Sequence, residues 1–247
     1  MKIETEDDLA GMKAAGRVVR DALDAMSVAV EPGISTAQLD AIAARVLRDR
    51  GARSAPRLVY DFPGETCICV NDEIVHGIPS PRRVLAEGDL VTLDVTVEKD
   101  GYMADAAVTL PVGRVSARAA KLLAATEKVL VRALDEVRPG KRAFEVGRVI
   151  EREAGRHGLS PVRALQGHGI GRTIHEDPMM PNWADPEAQD VLEEHLVLTV
   201  EPILSLGSGE SYESNDGWTI LAADGAWAAH FEHTLVVTKG RPILLTA

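Results

Sequence analysis

The residues best suited to chemistry lie in Gly167-His168-Gly169-Ile170-Gly171-Arg172-Thr173-Ile174-His175-Glu176-Asp177-Pro178. Each glycine in a helix costs about 1 kcal/mol, so three within five residues predict an extended, closely approached backbone that presents the His168 imidazole for contact. His175 follows on the same segment, and Pro178 biases Asp177 away from helix. Taken alone, a glycine-rich turn carrying two solvated histidines is the simpler account, because short motifs are weak signals. What weighs against it is a set of acidic residues set in or at the end of apolar β patterns: Asp94, Asp105, Glu201 and Glu232.

The spacing of the first two is informative. Leu90 to Val97 reads as a strand that runs through Glu98 and Lys99 into Asp100-Gly101, a dipeptide typical of two-residue hairpin turns, and Tyr102 to Leu110 returns. With the turn at Asp100-Gly101, Thr96 faces Asp105 and Asp94 lies diagonally from Asp105 on the same sheet face. Diagonal neighbours are about 7–8 Å apart, within reach of a shared ion. Without a cation such a pair opposes its own ionisation. The competing account is a polar strand face open to water, although an unpaired charge within an apolar strand is costly. Glu201 ends the run Leu196 to Val200 just before Pro202, and Glu232 interrupts the β pattern Ala229 to Val237.

Asp94, Asp105, His168, Glu201 and Glu232 together offer hard oxygen donors and one imidazole, which suit Mn, Fe, Co or Zn and outnumber the needs of one four-coordinate ion. Two divalent cations would balance the four carboxylates. At a spacing of about 3.5–4 Å, they would share carboxylates and lower the pKa of a water, which predicts hydrolysis. A mononuclear iron site with two histidines and a carboxylate is the alternative, and it leaves three acids without a purpose. His76, beside Gly77, gains weight only from this company.

The elements that must position these groups are α/β in character. Thr5 caps a helix with Asp8 at the capping-box position, ended by Pro32-Gly33; Ser35-Thr36 opens a second, which stops at Gly51. From Tyr60 to Pro79 the chain becomes β-like, with a strand at Thr66 to Val70, a turn at Asn71-Asp72 and an extended piece from Ile74. Helices are expected at Arg118 to Glu136 and Phe144 to His157, a polar surface loop at Pro181 to Pro186, and strands at Asp216 to Ile220 and Ala229 to Val237. At 247 residues and 45% hydrophobic, one domain spanning 1–247 is expected, with a substantial core. A net charge of −11 argues against sequence-independent nucleic-acid binding, and no apolar run could span a bilayer, so a cytoplasmic protein is expected. Cys67 and Cys69 are too few for a disulfide framework and are expected as buried thiols.

The run GHGIGRTIHEDP, the hairpin LDVTVEKDGYMAD, TVEP at Thr199 to Pro202 and FEHT at Phe231 to Thr234 resemble the type I methionine aminopeptidases of bacterial form, over nearly the whole chain. The resemblance implies the pita-bread fold: two pseudo-symmetric halves with a curved antiparallel sheet covered by helices. It implies removal of the initiator methionine from new polypeptides by a monomer, with docking near the ribosomal exit tunnel. It also implies Asp94, Asp105, His168, Glu201 and Glu232 as ligands of two divalent ions, with Asp105 and Glu232 bridging. By the same resemblance His76 and His175 hold the substrate amide and the developing oxyanion, Glu201 shuttles a proton, and Phe62, Cys67 and Trp218 line the methionine pocket. Ile174, Val75 and His230 depart from the residues common there, namely Phe, Cys and Gln. Apolar pockets discriminate by about 1–3 kcal/mol per methylene, so these changes bear on selectivity more than on chemistry. An Xaa-Pro peptidase and a silent binding module on the same scaffold are the competing functions.

Overall fold

A computed structural model describes residues 1–247. The first half begins with helix α1, Glu6–Ala29, whose Thr5 and Asp8 form the expected reciprocal capping box, and α2, Thr36–Asp49, capped the same way by Ser35 and Gln38. The first lays its apolar face on the hairpin Leu90–Lys99 and Tyr102–Pro111 and the second packs against the first, enclosing a core that includes Met12, Val19, Leu39, Leu93 and Val95. Register is as the turn dictates: Thr96 pairs with Asp105 and Lys99 with Tyr102. On its other edge Leu90–Lys99 pairs with Cys67–Val70, which sets Cys67 opposite Asp94.

The second half repeats the plan. Helices α4, Ala117–Glu136, and α5, Ala143–Arg156, cover a core that includes Leu122, Ile150, Leu192 and Leu198. Beneath them lies a sheet in the order Ile243–Leu244, His233–Val236, Val197–Val200, Gln166–Gly169, Glu176–Pro181. Every pairing in the four sheets of the molecule is antiparallel. This is the pita-bread arrangement, α/β with helices on the outer faces of curved antiparallel sheets.

The two halves meet along Tyr102–Pro111 and the segment from Ala228 to Val236. The Thr234 hydroxyl donates to Asp105 O and accepts from Asp105 N–H, at 2.7 and 2.9 Å. Thr109 does the same for His230, donating to its carbonyl at 2.9 Å and accepting from its N–H at 2.8 Å. Glu232 N–H donates to Ala107 O at 3.0 Å. These buried bonds replace a continuous ladder where the two sheets approach.

Four local expectations need correction. Tyr60, expected to open the β-like stretch, instead ends a helix, α3, Ala55–Tyr60: Ser54 caps it, Pro56 lies in its first turn, and Asp61 in the left-handed region closes it. Asp216 to Thr219 is not a strand but a turn, in which the Asp216 carboxylate accepts from Trp218 N–H and from the Thr219 amide and hydroxyl, leaving strand only at Ile220–Ala222. The expected strand Ala229 to Val237 is two, Ala228–His230 and His233–Val236, broken at Phe231-Glu232 where the chain changes sheets. The stretch from Pro181 is not wholly a surface crossing, since Pro181 ends a strand and Asn182 is fully buried, donating to Glu201 O at 3.0 Å.

Candidate metal centre

Gly167 and Gly169 are where the glycine-rich stretch needs its glycines, because neighbouring strands press on the backbone. A Cβ on Gly169 would lie 2.3 Å from Asp177 O, and one on Gly167 would lie 2.8 Å from Thr199 O. The strand Gln166–Gly169 therefore sits deep in its sheet and holds His168 at 5% exposure. Thr199 completes the fixing: its hydroxyl accepts from His168 N–H at 3.0 Å and donates to Glu201 Oε1 at 2.8 Å. The His168 Nδ1 lies 2.9 Å from Gly169 O, which assigns the proton to Nδ1 and leaves the Nε2 lone pair facing the cavity.

That cavity, of about 420 Å³, is lined by all ten residues the sequence singled out: Asp94, Asp105, His168, Glu201 and Glu232 among the donors, and His76, His175, Phe62, Cys67 and Trp218 around them. Ligand atoms of Asp105, His168 and Glu232 lie within 4.8 Å of one another, and all three residues are buried. Glu201 adjoins them, its Oε1 3.7 Å from His168 Nε2. Asp94 reaches the cavity from the hairpin, one side-chain row from Asp105.

Burial dominates the electrostatics. It pushes the Asp94, Glu201 and Glu232 carboxyls well above the usual range, reinforced by the mutual repulsion of these acids and Asp105. Asp105 rises to about 6, restrained by hydrogen bonds from the Thr96 hydroxyl and from Asp94. Acids this close and this dry hold protons unless cations replace them. Asp105 Oδ1 and Glu232 Oε1 are buried with no hydrogen-bond partner, the unsatisfied acceptors expected of a site built for positive charge. Burial lowers His168 to about 4, so its imidazole is neutral and able to ligate at neutral pH. The donor set thus fits a hard divalent cation.

The mouth is built from different parts. His76 takes a positive φ of 59° beside Gly77, whose missing Cβ would lie 2.3 Å from Ile68 O. His175 packs its ring 4.3 Å from that of His168. Both are exposed toward the opening, and partial burial lowers the pKa of each, keeping them neutral. On the apolar side Phe62 meets Trp218 edge to face at 5.1 Å, over the buried Cys67, whose thiol burial drives upward. Asp40 accepts from Glu65 N–H and from the Thr66 amide and hydroxyl, fixing the loop between Phe62 and Cys67.

Sequence reasoning passed over Tyr60, whose hydroxyl lies 2.6 Å from His175 Nδ1, and the positioning threonines Thr199 and Thr234. Strand alternation could have found Thr199, two residues before Glu201 and therefore on the same face. Tyr60 could be placed only by recognising α3. His230 was noted as a departure but not as part of the centre, whose cavity it lines.

A family model described as metallopeptidase family M24 matches residues 10–239. Methionine aminopeptidase 2 of Bacillus subtilis (strain 168) is 40% identical over 247 residues, covering 100% of this chain and 99% of that one. Methionine aminopeptidase of Aquifex aeolicus (strain VF5) is 35% identical, covering 100% and 98%. Among solved structures, methionine aminopeptidase from Thermotoga maritima superposes with a TM-score of 0.96 at 34% identity, over 100% of this chain and 99% of that one. A prolidase from Pyrococcus furiosus, at 21% identity, shares the fold with a TM-score of 0.80 over 99% of this chain and 65% of that one.

Proposed function

The chain belongs to metallopeptidase family M24, and from that premise we propose that it is a methionine aminopeptidase that removes the initiator methionine from new polypeptides. The observation that carries this reading is the convergence of Asp94, Asp105, His168, Glu201 and Glu232 on one cavity, with the acceptor oxygens of Asp105 and Glu232 unpartnered beside an apolar pocket. We assign those five residues as the ligands that would hold two divalent cations drawn from Co, Mn, Fe or Zn. Such a pair supplies Lewis acidity toward the scissile carbonyl and makes a water nucleophilic at neutral pH.

The chain's own residues do the rest. Glu201, a buried carboxyl whose proton affinity is raised, takes the proton of the attacking water and passes it to the leaving amine. The neutral imidazoles of His76 and His175 hydrogen-bond the substrate amide and the oxygen on which negative charge develops. Tyr60 orients His175 through its Nδ1. Phe62, Cys67 and Trp218 form the slot for the methionine side chain, with the Phe62 and Trp218 rings in edge contact. We read residues 1–247 as one catalytic domain, a monomer acting in the cytoplasm on N-terminal segments near the ribosomal exit tunnel, with no nucleic-acid or membrane target of its own.

The second residue of the substrate must pass the rim between His76 and Trp218, so small second residues are favoured. With Co or Mn, the protein releases methionine from Met-Ala-Ser at least tenfold faster than from Met-Leu-Ser. The expected ratio corresponds to about 1.4 kcal/mol of steric discrimination at that rim. Equal rates would refute the size rule, and faster cleavage of Ala-Pro than of Met-Ala-Ser would favour the Xaa-Pro class instead.

A further inference from the structure

His230 is 2% exposed, and neither of its ring nitrogens has a hydrogen-bond partner. A neutral imidazole carries one N–H and one lone pair, both unmet here, and a cation at Nε2 would satisfy the lone pair while leaving the Nδ1 proton unpaired. Its Nε2 lies 3.7 Å from Glu201 Oε2 and 3.6 Å from Glu232 Oε2. Those separations exceed the roughly 2.7–3.2 Å of an N–H···O bond. They match two donors on one ion: with bonds of about 2.0–2.2 Å, donors at tetrahedral to trigonal angles stand about 3.3–3.8 Å apart. His168 Nε2 stands at the same kind of distance, 3.7 Å, from the other oxygen of Glu201.

The backbone tells the same story. Asp105, His168 and His230 each give their N–H to a buried threonine hydroxyl, from Thr234, Thr199 and Thr109 respectively. For Thr109 the support runs one step further, since its oxygen also pairs with the Thr92 hydroxyl at 2.8 Å. A residue fixed by the device that fixes two members of the donor set, and aimed at two more, is placed as a donor itself.

We propose that His230 is a sixth donor of the centre, its Nε2 ligating a cation held by Glu201 and Glu232, so that Glu201 is flanked by one imidazole at each oxygen. This rests on the reading of the cavity as a cation centre. His168 has an acceptor for its Nδ1 proton and His230 has none, which makes His230 the more weakly held of the two imidazole donors. An added nitrogen donor strengthens binding of cobalt and zinc more than of manganese.

The test uses metal ions alone, with no peptide. Apo protein and the His230→Gln variant are titrated with Co²⁺, and each is loaded with Cu²⁺ for pulsed EPR, which counts coordinated imidazoles. The expected result is one fewer imidazole coupling in the variant and a roughly tenfold weaker Co²⁺ affinity, with a smaller loss for Mn²⁺. Equal couplings and equal affinity in the two proteins would overturn the assignment. Should the glutamine variant not fold, His230→Ala serves: free imidazole is expected to restore the missing coupling, and failure to restore it counts against ligation. Loss of methionine selectivity alone would leave these readouts untouched, whereas a protein that takes up no Co²⁺ would overturn both the cation centre and this assignment.

Discussion

At the scale of single residues, the centre is an arrangement of charge that the protein alone cannot satisfy. Asp105→Asn or Glu232→Gln is expected to abolish most metal uptake and activity while sparing the fold, because each removes a repelling acid along with a ligand. His175→Ala is expected to keep its metal and lose about 100-fold in kcat; metal analysis beside kinetics separates the two classes. The pH dependence has a definite sign. Asp105 rises from 3.8 to about 6, and burial raises Asp94, Glu201 and Glu232 as well, so the metal-free folded state binds more protons than the unfolded chain. The cluster's contribution to stability therefore falls as pH rises from about 4 through 6, and the penalty persists above it. Cations relieve that penalty, so the rise in Tm on adding Mn²⁺ is expected to grow between pH 5 and 7.5; a rise that shrinks over that range would contradict the assignment. The acids that line the cavity were legible in the sequence because acids in apolar strands are rare. The role of His230 was not, because its meaning lies in what it fails to touch.

At the scale of elements, the hairpin was the most readable part of the chain. One turn dipeptide set its register and brought Asp94 and Asp105 to the same face, as observed. The capped helices were equally plain, their first-turn side chains being local signals. What stayed hidden were elements whose form depends on partners distant in sequence. Ala55–Tyr60 carries β-favouring Val59 and Tyr60, yet folds as a helix between Ser54 and Asp61. Ala228 to Val236 carries a β pattern interrupted only at Glu232, and it divides there because His230 pairs with Ile203 in one sheet and His233 with Val200 in another. Thr234 sits just past that division and carries both bonds to Asp105. Thr234→Val keeps the shape but leaves the buried Asp105 amide unpaired, at a cost of about 1–3 kcal/mol. The expected result is a lower melting temperature together with weaker Mn²⁺ binding. A variant that melts early but binds Mn²⁺ normally would show that the bond serves the fold and not the site.

At the scale of the whole molecule, neither half owns the centre. Asp94 and Asp105 come from the strands under α1 and α2, and His168, Glu201 and Glu232 from a strand and from breaks beside strands on the side of α4 and α5. Unfolding either half disperses the donors, so calorimetry with Mn²⁺ is expected to show one transition that shifts upward as a unit. Two transitions, only one of them sensitive to metal, would break the reading of residues 1–247 as one domain. The pairs Thr109–His230 and Thr234–Asp105 fasten the halves at two points close to the donors. The gap between the donors is accordingly set where the two blocks meet, by the Thr109–His230, Thr234–Asp105 and Glu232–Ala107 hydrogen bonds and by the apolar packing that brings Val197, Val236 and Leu245 into the first block's core. Repacking beneath one helix pair, far from any ligand, can thus retune the centre by tilting one block against the other, much as shimming one jaw of a vice alters its grip.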